Sequence, residues 1–304
     1  MKKLSFLGVL LIFIGVLYFY KDSAMEIWDF ISYKININTV SIQRNNYYRN
    51  YDFIYVQNTN TFSPNNKQDI LNIYYTVINS GMDSFSFYCP SSYASCLNDV
   101  ANIANDQIHL SHINNFVHPY NSFQHIETTY NNLGRVTITT NKSYTSEEIQ
   151  LINAKINYIE ENILNKSLSI RDNILLAHDY IINNSAYDSL RGDKNITNYR
   201  SDIAYGPLIE GYGICGGYTD ALELILERLG VISFKISSDE HVWNALLVDN
   251  HWLNIDLTWD DPVTNNGKDI LSHDFFLIST QSLLRLENVQ HHFDQNIYKE
   301  LKEA

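Results

Sequence analysis

Two strand-like runs joined by a tight-turn dipeptide constrain the fold of this chain more than any other feature. The runs are His241 to Val248 and His251 to Trp259, and Asp249-Asn250 stands between them. Asp and Asn tolerate the left-handed backbone that two-residue hairpin turns require. The pattern therefore predicts an antiparallel hairpin.

The register of this hairpin decides which polar side chains meet. If Val248 pairs with His251, Trp243 lies opposite Asp256, and His241 is the diagonal neighbour of Asp256 on the same face. Diagonal neighbours on adjacent strands lie roughly 7 to 8 Å apart, and the two side chains can bridge that distance with a hydrogen bond from histidine to carboxylate. A one-residue slip would put the two residues on opposite faces. A carboxylate in so apolar a run is costly to bury unless it is paired. The other face is expected to point to the core: Val242, Leu246, Val248, Leu253, Ile255 and Leu257.

Upstream, a glycine-rich segment contains a cysteine. Residues 211–218 read Gly-Tyr-Gly-Ile-Cys-Gly-Gly-Tyr, and Thr219 to Leu229 have the apolar spacing of a helix that Gly230 could end. Cys215 is thus expected near a helix N-terminus, where free amides and the helix dipole favour a thiolate. The flanking glycines are expected to allow a sharp turn and leave room for a substrate backbone. A thiolate nucleophile needs a base and an orienting group, and His241 and Asp256 could supply them.

These residues resemble the transglutaminase-like superfamily, which has a papain-like core. The resemblance covers about residues 170–262 and includes Tyr187-Asp188 and residues 205–208. The family usually has Glu or Gln directly after the cysteine, where this chain has Gly216. The ordered motifs are Gly213-Ile214-Cys215-Gly216-Gly217-Tyr218, His241-Val242-Trp243-Asn244 and the run from Trp252 to Asp260.

The resemblance implies an α+β catalytic domain in which a helix bearing Cys215 packs on an antiparallel sheet bearing His241 and Asp256. It implies acyl transfer from an amide in a peptide or protein, with either water or a lysine amine as the acceptor. The Cys215 amide would meet the oxyanion with one further donor. Further substrate or oxyanion candidates are Tyr205, Tyr212, Gly216 and Trp243. The alternative of a different class is a binding or scaffold module that retains the fold without turnover.

The N-terminus has the features of a membrane anchor. Lys2 and Lys3 precede an uncharged run from Leu4 to Tyr20, which is near the roughly 20 residues that span a bilayer. Lysines on the cytoplasmic side would place the rest of the chain outside the cytoplasm. In that oxidising compartment Cys89 and Cys96 could form a disulfide, which would leave Cys215 free.

The remaining pattern predicts the domain order. Residues 1–21 are the anchor, 22–50 a stalk or linker without regular structure, 51–144 a small α+β region of unknown role, and 145–304 the catalytic domain. Strands are expected at Asp52 to Gln57, Ser84 to Tyr88 and Arg135 to Thr140, and a short helix at Leu97 to Ala104. A capping box of Thr145 and Glu148 opens one helix, and a second is expected from Ile170 to Asn183. His178 on this second helix could be a ligand or a base, although a histidine on an apolar stripe is more often a buried core residue.

Charge and ligand spacing argue against other classes. The formal net charge of −13 repels nucleic acid, so no such partner is expected. The ten histidines, among them His112, His118, His125, His273 and the His291-His292 pair, show no paired ligand spacing, so neither a metal nor another cofactor is expected. Asp260-Asp261 before Pro262 could bind calcium, but a turn explains them more simply.

Overall fold

The computed structural model describes residues 14, 18, 20–35, 62–263, 270–286 and 289–302. The strand expected at Asp52 to Gln57 lies outside the described residues, as does nearly all of the predicted anchor, residues 4–20. None of the helices in the described ranges is long and apolar enough to cross a membrane.

Within the described residues, the N-terminal part contains four α-helices and a three-stranded antiparallel sheet of order β1-β3-β2. Helix α1 covers residues for which the sequence predicted no regular structure. The strands expected at residues 84–88 and 135–140 and the helix expected at 97–104 are confirmed. The elements are α1 (Lys21–Ile35), α2 (Lys67–Asn79), β1 (Ser84–Tyr88), α3 (Cys96–Asn105), α4 (Gln107–Asn115), β2 (Phe123–Tyr130) and β3 (Arg135–Lys142).

A disulfide joins the end of β1 to the start of α3. It links Cys89 to Cys96, whose Cα atoms lie 5.7 Å apart. Cys215 is free.

The C-terminal part is a set of helices packed on a second three-stranded antiparallel sheet, of order β6-β7-β8. The elements are α5 (Ser146–Asn162), α6 (Ile170–Asn183), β4 (Ala186–Tyr187), α7 (Ser189–Lys194), β5 (Tyr212–Gly213), α8 (Cys215–Arg228), β6 (Ser233–Ser237), β7 (Val242–Val248), β8 (His251–Ile255), α9 (Leu257–Asp260) and α10 (Thr280–Arg285).

Helix α5 begins where the sequence predicts, and helix α6 begins and ends where the sequence predicts. Thr145 and Glu148 form the expected capping box at the start of α5. Ile152, Ile156 and Ile159 are buried on its inner stripe, so the periodicity places this helix on the core.

The β7–β8 hairpin has the predicted register, with Val248 opposite His251. Asp249 and Asn250 adopt φ values of 53° and 62°, the left-handed pair that a two-residue turn requires. The second strand is shorter than expected, because β8 ends at Ile255 and α9 begins at Leu257. The Asp256 side chain accepts hydrogen bonds from the first amides of α9, which ends the strand there.

Strand β7 is buried on both faces, although one face was expected to point away from the core. Leu246 and Val248 pack with the helices α5, α6 and α8. Trp243 and Ala245 pack on the other side with residues of the N-terminal sheet and of α2, α3 and α4. The N-terminal region therefore packs on the face of this sheet to which Trp243 and Ala245 point.

Candidate active site

Cys215 is the first residue of helix α8 and is half-buried. As at any helix start, the amides of the first turn have no partner within the helix. A Cβ atom on Gly216 would lie 2.8 Å from the carbonyl oxygen of Asp202, and one on Gly217 would lie 2.2 Å from that of Ser201. The two glycines thus let residues 201–203 pack against the helix start. The expectation that they leave room for a substrate was wrong.

His241 and Asp256 meet as the hairpin register predicts. Nε2 of His241 lies 2.6 Å from Oδ2 of Asp256, and both side chains are buried. The imidazole also has a hydrogen bond with the side chain of Cys215, which leaves Nδ1 as the ring nitrogen that faces the thiol. The order Cys215, His241, Asp256 is that of a nucleophile, a base and an orienting carboxylate.

Asp256 accepts four hydrogen bonds. Its Oδ1 accepts from the amides of Thr258 (3.0 Å) and Trp259 (3.2 Å). Its Oδ2 lies 2.6 Å from Nε2 of His241 and 2.8 Å from Nε2 of His291. The carboxylate is therefore fixed in orientation by groups from three segments of the chain.

His291 is a member of the site that the sequence did not predict. Its ring is fully buried, with ring centroids 5.1 Å from Trp243 and 5.1 Å from Phe275. Among the described residues, nothing lies within hydrogen-bonding distance of its Nδ1. Because a neutral imidazole carries one N–H, an acceptor-free Nδ1 is consistent with the proton on Nε2, which donates to Asp256.

The electrostatics of the pair are strongly coupled. Burial alone would lower the pKa of His241, but the charge of Asp256 and the hydrogen bonds with Asp256 and Cys215 outweigh it and raise that pKa to about 10. Burial alone would raise the pKa of Asp256, but His241 and His291 lower it to about 2. At neutral pH the raised pKa of His241 and the lowered pKa of Asp256 thus favour an imidazolium between the carboxylate and the Cys215 side chain.

Cys215 and His241 open onto a cleft of about 280 Å³. Its wall combines aromatic and apolar side chains with a few polar groups. Besides Cys215 and His241, the lining residues are Tyr187, Glu240, Thr258, Trp259, Asp261, Pro262, Val263 and Gln290.

The other predicted substrate or oxyanion residues do not line this cleft. Trp243 is 1% exposed, stacks behind His241 and donates through Nε1 to Oδ1 of Asn254. Tyr212 stacks on Tyr199 with centroids 4.1 Å apart. Tyr205 packs at the edge of the helical core, and Gly216 faces the backbone of Asp202.

Two groups of side chains in the described part of the chain have the spacing of metal ligands. The first is His241, Asp256 and His291, where both rings already hydrogen-bond the same carboxylate oxygen. The second is His178, Asp179 and His273. The predicted calcium candidates have protein partners, since Asp260 bonds to His178 and Asp261 accepts from the Tyr218 hydroxyl.

No protein-family model and no curated protein matches this chain. The solved structures that are similar to it include two whose descriptions name an activity. One is described as a TGase, with 16% identity over 48% of this chain and 46% of that chain and a TM-score of 0.33. The other is a putative cysteine protease from Cytophaga hutchinsonii, with 16% identity over 48% of this chain and 65% of that chain and a TM-score of 0.29.

This chain thus aligns with less than two thirds of the length of either structure. Overlap and identity this low carry no argument about activity or substrate, which has to come from the geometry of Cys215, His241 and Asp256.

Proposed function

We propose that this protein is a cysteine acyl-transfer enzyme that acts on amide groups of peptides or proteins through Cys215, His241 and Asp256. The observation that carries the proposal is the contact of His241 with both the Asp256 carboxylate and the Cys215 side chain at the mouth of a cleft. A buried structural cysteine would not require a base held by a carboxylate.

In the first half of the reaction, the Cys215 sulfur attacks the amide carbonyl carbon. The amide of Cys215 at the start of α8 is placed to donate to the developing oxyanion. The His241 imidazolium then protonates the departing amine from Nδ1, the C–N bond breaks, and a thioester remains on Cys215.

In the second half, His241 is neutral and takes a proton from the acceptor as the acceptor attacks the thioester. The C–S bond breaks and the Cys215 thiolate returns with its imidazolium partner. Water as acceptor gives hydrolysis, and a lysine amine gives an isopeptide crosslink. Asp256 keeps the ring oriented and stabilises its charge throughout. All of these steps use protein groups, so the mechanism as proposed requires no cofactor.

The proposed location is outside the cytoplasm, with residues 4–20 as a single membrane anchor and with surface peptides or proteins as substrates. The Cys89–Cys96 disulfide supports an oxidising compartment. The net charge of −13 supports the proposal that nucleic acid is not a partner.

The first test is the rate at which iodoacetamide alkylates Cys215, followed by intact mass across pH. An unassisted thiol is well under about 1% thiolate at pH 6, so wild type should react much faster there than denatured protein. His241→Ala should lose this low-pH reactivity, and Cys215→Ala should lose the label. His251→Ala removes an exposed histidine from the same hairpin and should behave as wild type.

The outcomes separate the two classes of function. Fast labelling that depends on His241 supports the enzyme and justifies peptide-cleavage and amine-incorporation assays with Cys215→Ala as the blank. Slow labelling that is equal in wild type and His241→Ala would overturn the proposal in favour of a non-catalytic binding or scaffold module.

A further inference from the structure

A second histidine–carboxylate cluster lies apart from the cleft, between helix α6 and the segment 270–279. Oδ1 of Asp179 lies 2.9 Å from Nδ1 of His178 and 2.7 Å from Nε2 of His273. The three ligand atoms all lie within 4.8 Å of one another. His178 and His273 are far apart in the chain, so no sequence spacing could have revealed this cluster.

A neutral His178 has too few N–H donors for the two carboxylates that its ring faces. His178 is fully buried, and both of its ring nitrogens face carboxylates: Nδ1 faces Asp179, and Nε2 lies 3.1 Å from Oδ2 of Asp260. A neutral imidazole has one N–H, so one nitrogen would turn its lone pair toward a carboxylate oxygen. A cation bound at one of these two contacts would accept that lone pair.

Asp260 favours a cation bound at the contact between His178 and Asp179. It is fully buried, and its Oδ1 accepts from the amide of Phe275 at 3.0 Å, which fixes its orientation. A carboxylate that accepts the N–H of one ring nitrogen and leaves the other nitrogen as a lone-pair donor is the usual outer partner of a metal-binding histidine. With the proton on Nε2, the Nδ1 lone pair of His178 points to the side of Asp179 and His273.

We propose that His178, Asp179 and His273 bind one divalent transition-metal ion of the zinc type. Two imidazole nitrogens and one carboxylate oxygen form a donor set that suits zinc, whereas calcium and magnesium prefer oxygen ligands throughout. The side chains of Asp179 and His273 are 31% and 45% exposed, so solvent can reach the open side and water can complete a tetrahedron.

The site would hold together segments that support the cleft. His178 belongs to α6, Asp260 ends α9, and His273 lies in the segment whose Phe275 carbonyl accepts the amide of Asp256 at 3.3 Å. The ring of Phe275 also stacks on His291. A bound metal ion would therefore hold the segment 270–279 in its position next to Asp256. It takes no part in the acyl-transfer steps.

The test is zinc binding by the full chain carrying Cys215→Ala, a change that removes the one free thiol and keeps zinc away from it. Chelator-treated protein is titrated with zinc in competition with a chromophoric chelator, and cobalt is used as a spectroscopic probe of the site. We expect one zinc per chain and the absorption bands of tetrahedral cobalt. Zinc at 100 times its Kd should raise Tm by roughly 5 to 10 °C.

The variants separate a metal site from an ion-pair cluster. His273→Ala changes an exposed position and Asp179→Asn a partly exposed one, and both should abolish stoichiometric binding and the Tm rise. Asp260→Asn should weaken zinc binding by about 10- to 100-fold, because it removes the outer carboxylate and keeps an acceptor for the Phe275 amide. His125→Ala removes an exposed histidine on β2 and should bind zinc as its parent does.

Two results would overturn the proposal. One is a Cys215→Ala parent that takes up no zinc stoichiometrically, which would leave the cluster as a hydrogen-bonded ion pair. The other is zinc binding that His273→Ala leaves unchanged, which would place the metal elsewhere. Neither result depends on acyl-transfer activity, so a failure here is distinct from a failure of the proposed enzyme.

Discussion

Two buried carboxylates on or beside helix α8 differ in charge state. Asp256 is 2% exposed and accepts four hydrogen bonds, and its pKa falls to about 2. Glu223 is fully buried, and neither of its oxygens has a hydrogen-bond partner among the described residues. Burial raises the pKa of Glu223 to about 8, and Lys235 offsets only part of that rise.

The difference shows that burial alone does not decide the charge of a carboxylate. Lys235 is the cation whose charge lowers the pKa of Glu223, but its Nζ lies 2.8 Å from Oδ1 of Asp220. The hydroxyl of Tyr144 donates to Oδ2 of the same Asp220. Asp220 thus uses the donors of that region, and Glu223 is left to hold a proton. Asp256 stays ionised because its donors are committed to it.

The largest expected effect is the loss of turnover in Asp256→Asn, which replaces the ionised carboxylate with a neutral amide. Without the carboxylate, His241 loses the charge that raises its pKa, and the ring can adopt the wrong tautomer. We expect turnover to fall by roughly 10³- to 10⁴-fold with the fold retained, measured as kcat on whichever peptide substrate wild type accepts.

The iodoacetamide profile provides the control for that variant. Asp256→Asn should lose the fast alkylation of Cys215 at pH 6, since the imidazolium that stabilises the thiolate is gone. A folded variant with the turnover and labelling profile of wild type would remove Asp256 from the mechanism.

The next effect is on stability, through Glu223→Gln. The pKa of Glu223 in the folded protein, about 8, lies above the ordinary 4.5. The folded state therefore keeps a proton that the unfolded chain releases, and stability present below pH 4.5 is lost as pH rises to about 8. Glutamine does not titrate. The free energy of unfolding of the variant should therefore rise by about 3 kcal/mol relative to that of wild type between pH 4 and pH 7.

Urea unfolding at pH 4, 7 and 9 measures this difference. Glu227→Gln is the matched control, because Glu227 lies one turn further on α8, is about half-exposed and has His118 as a partner. Its difference from wild type should show no such gain. If the difference in free energy of unfolding between Glu223→Gln and wild type stays constant from pH 4 to pH 9, Glu223 is ionised in the folded protein and has a partner there.

Local sequence patterns correctly predicted that Asp256 meets His241, but they did not predict the packing around the site. The Asp249-Asn250 turn set the hairpin register, and the register brought His241 to Asp256. The glycines after Cys215 were correctly associated with a helix start, but a sequence cannot show that residues 201–203 fill the space beside them. The end of β8 at Ile255 depends on the Asp256 side chain capping α9, which competes with continuation of the strand.

The positions that the sequence missed are set by tertiary packing. His291 reaches Asp256 from a segment that follows α10, and it belongs to no periodic run or spaced motif that marks its role. Tyr187 is part of the family resemblance, but that resemblance gave it no role, and it reaches the cleft from the short strand β4. His291-His292 was visible only as a histidine pair, and pairs of this kind carry no structural signal without the partners that the fold supplies.

The smallest expected effect is that of His291→Phe, which makes Asp256 more like Glu223 by removing one donor while retaining an aromatic ring beside Phe275. A hydrogen bond to a charged group contributes about 1.5–3 kcal/mol, and urea unfolding at pH 7 should show a loss of that size. His291→Gln keeps an N–H and should lose less stability.

The folded pKa of Asp256 lies below its ordinary 3.8, so its stability contribution is present above that value and is lost as pH falls toward 2. His291→Phe raises this folded pKa and should shift the acid-unfolding midpoint to higher pH. A purely packing role for His291 would lower stability without that shift, and this result would contradict its assignment as a donor to Asp256.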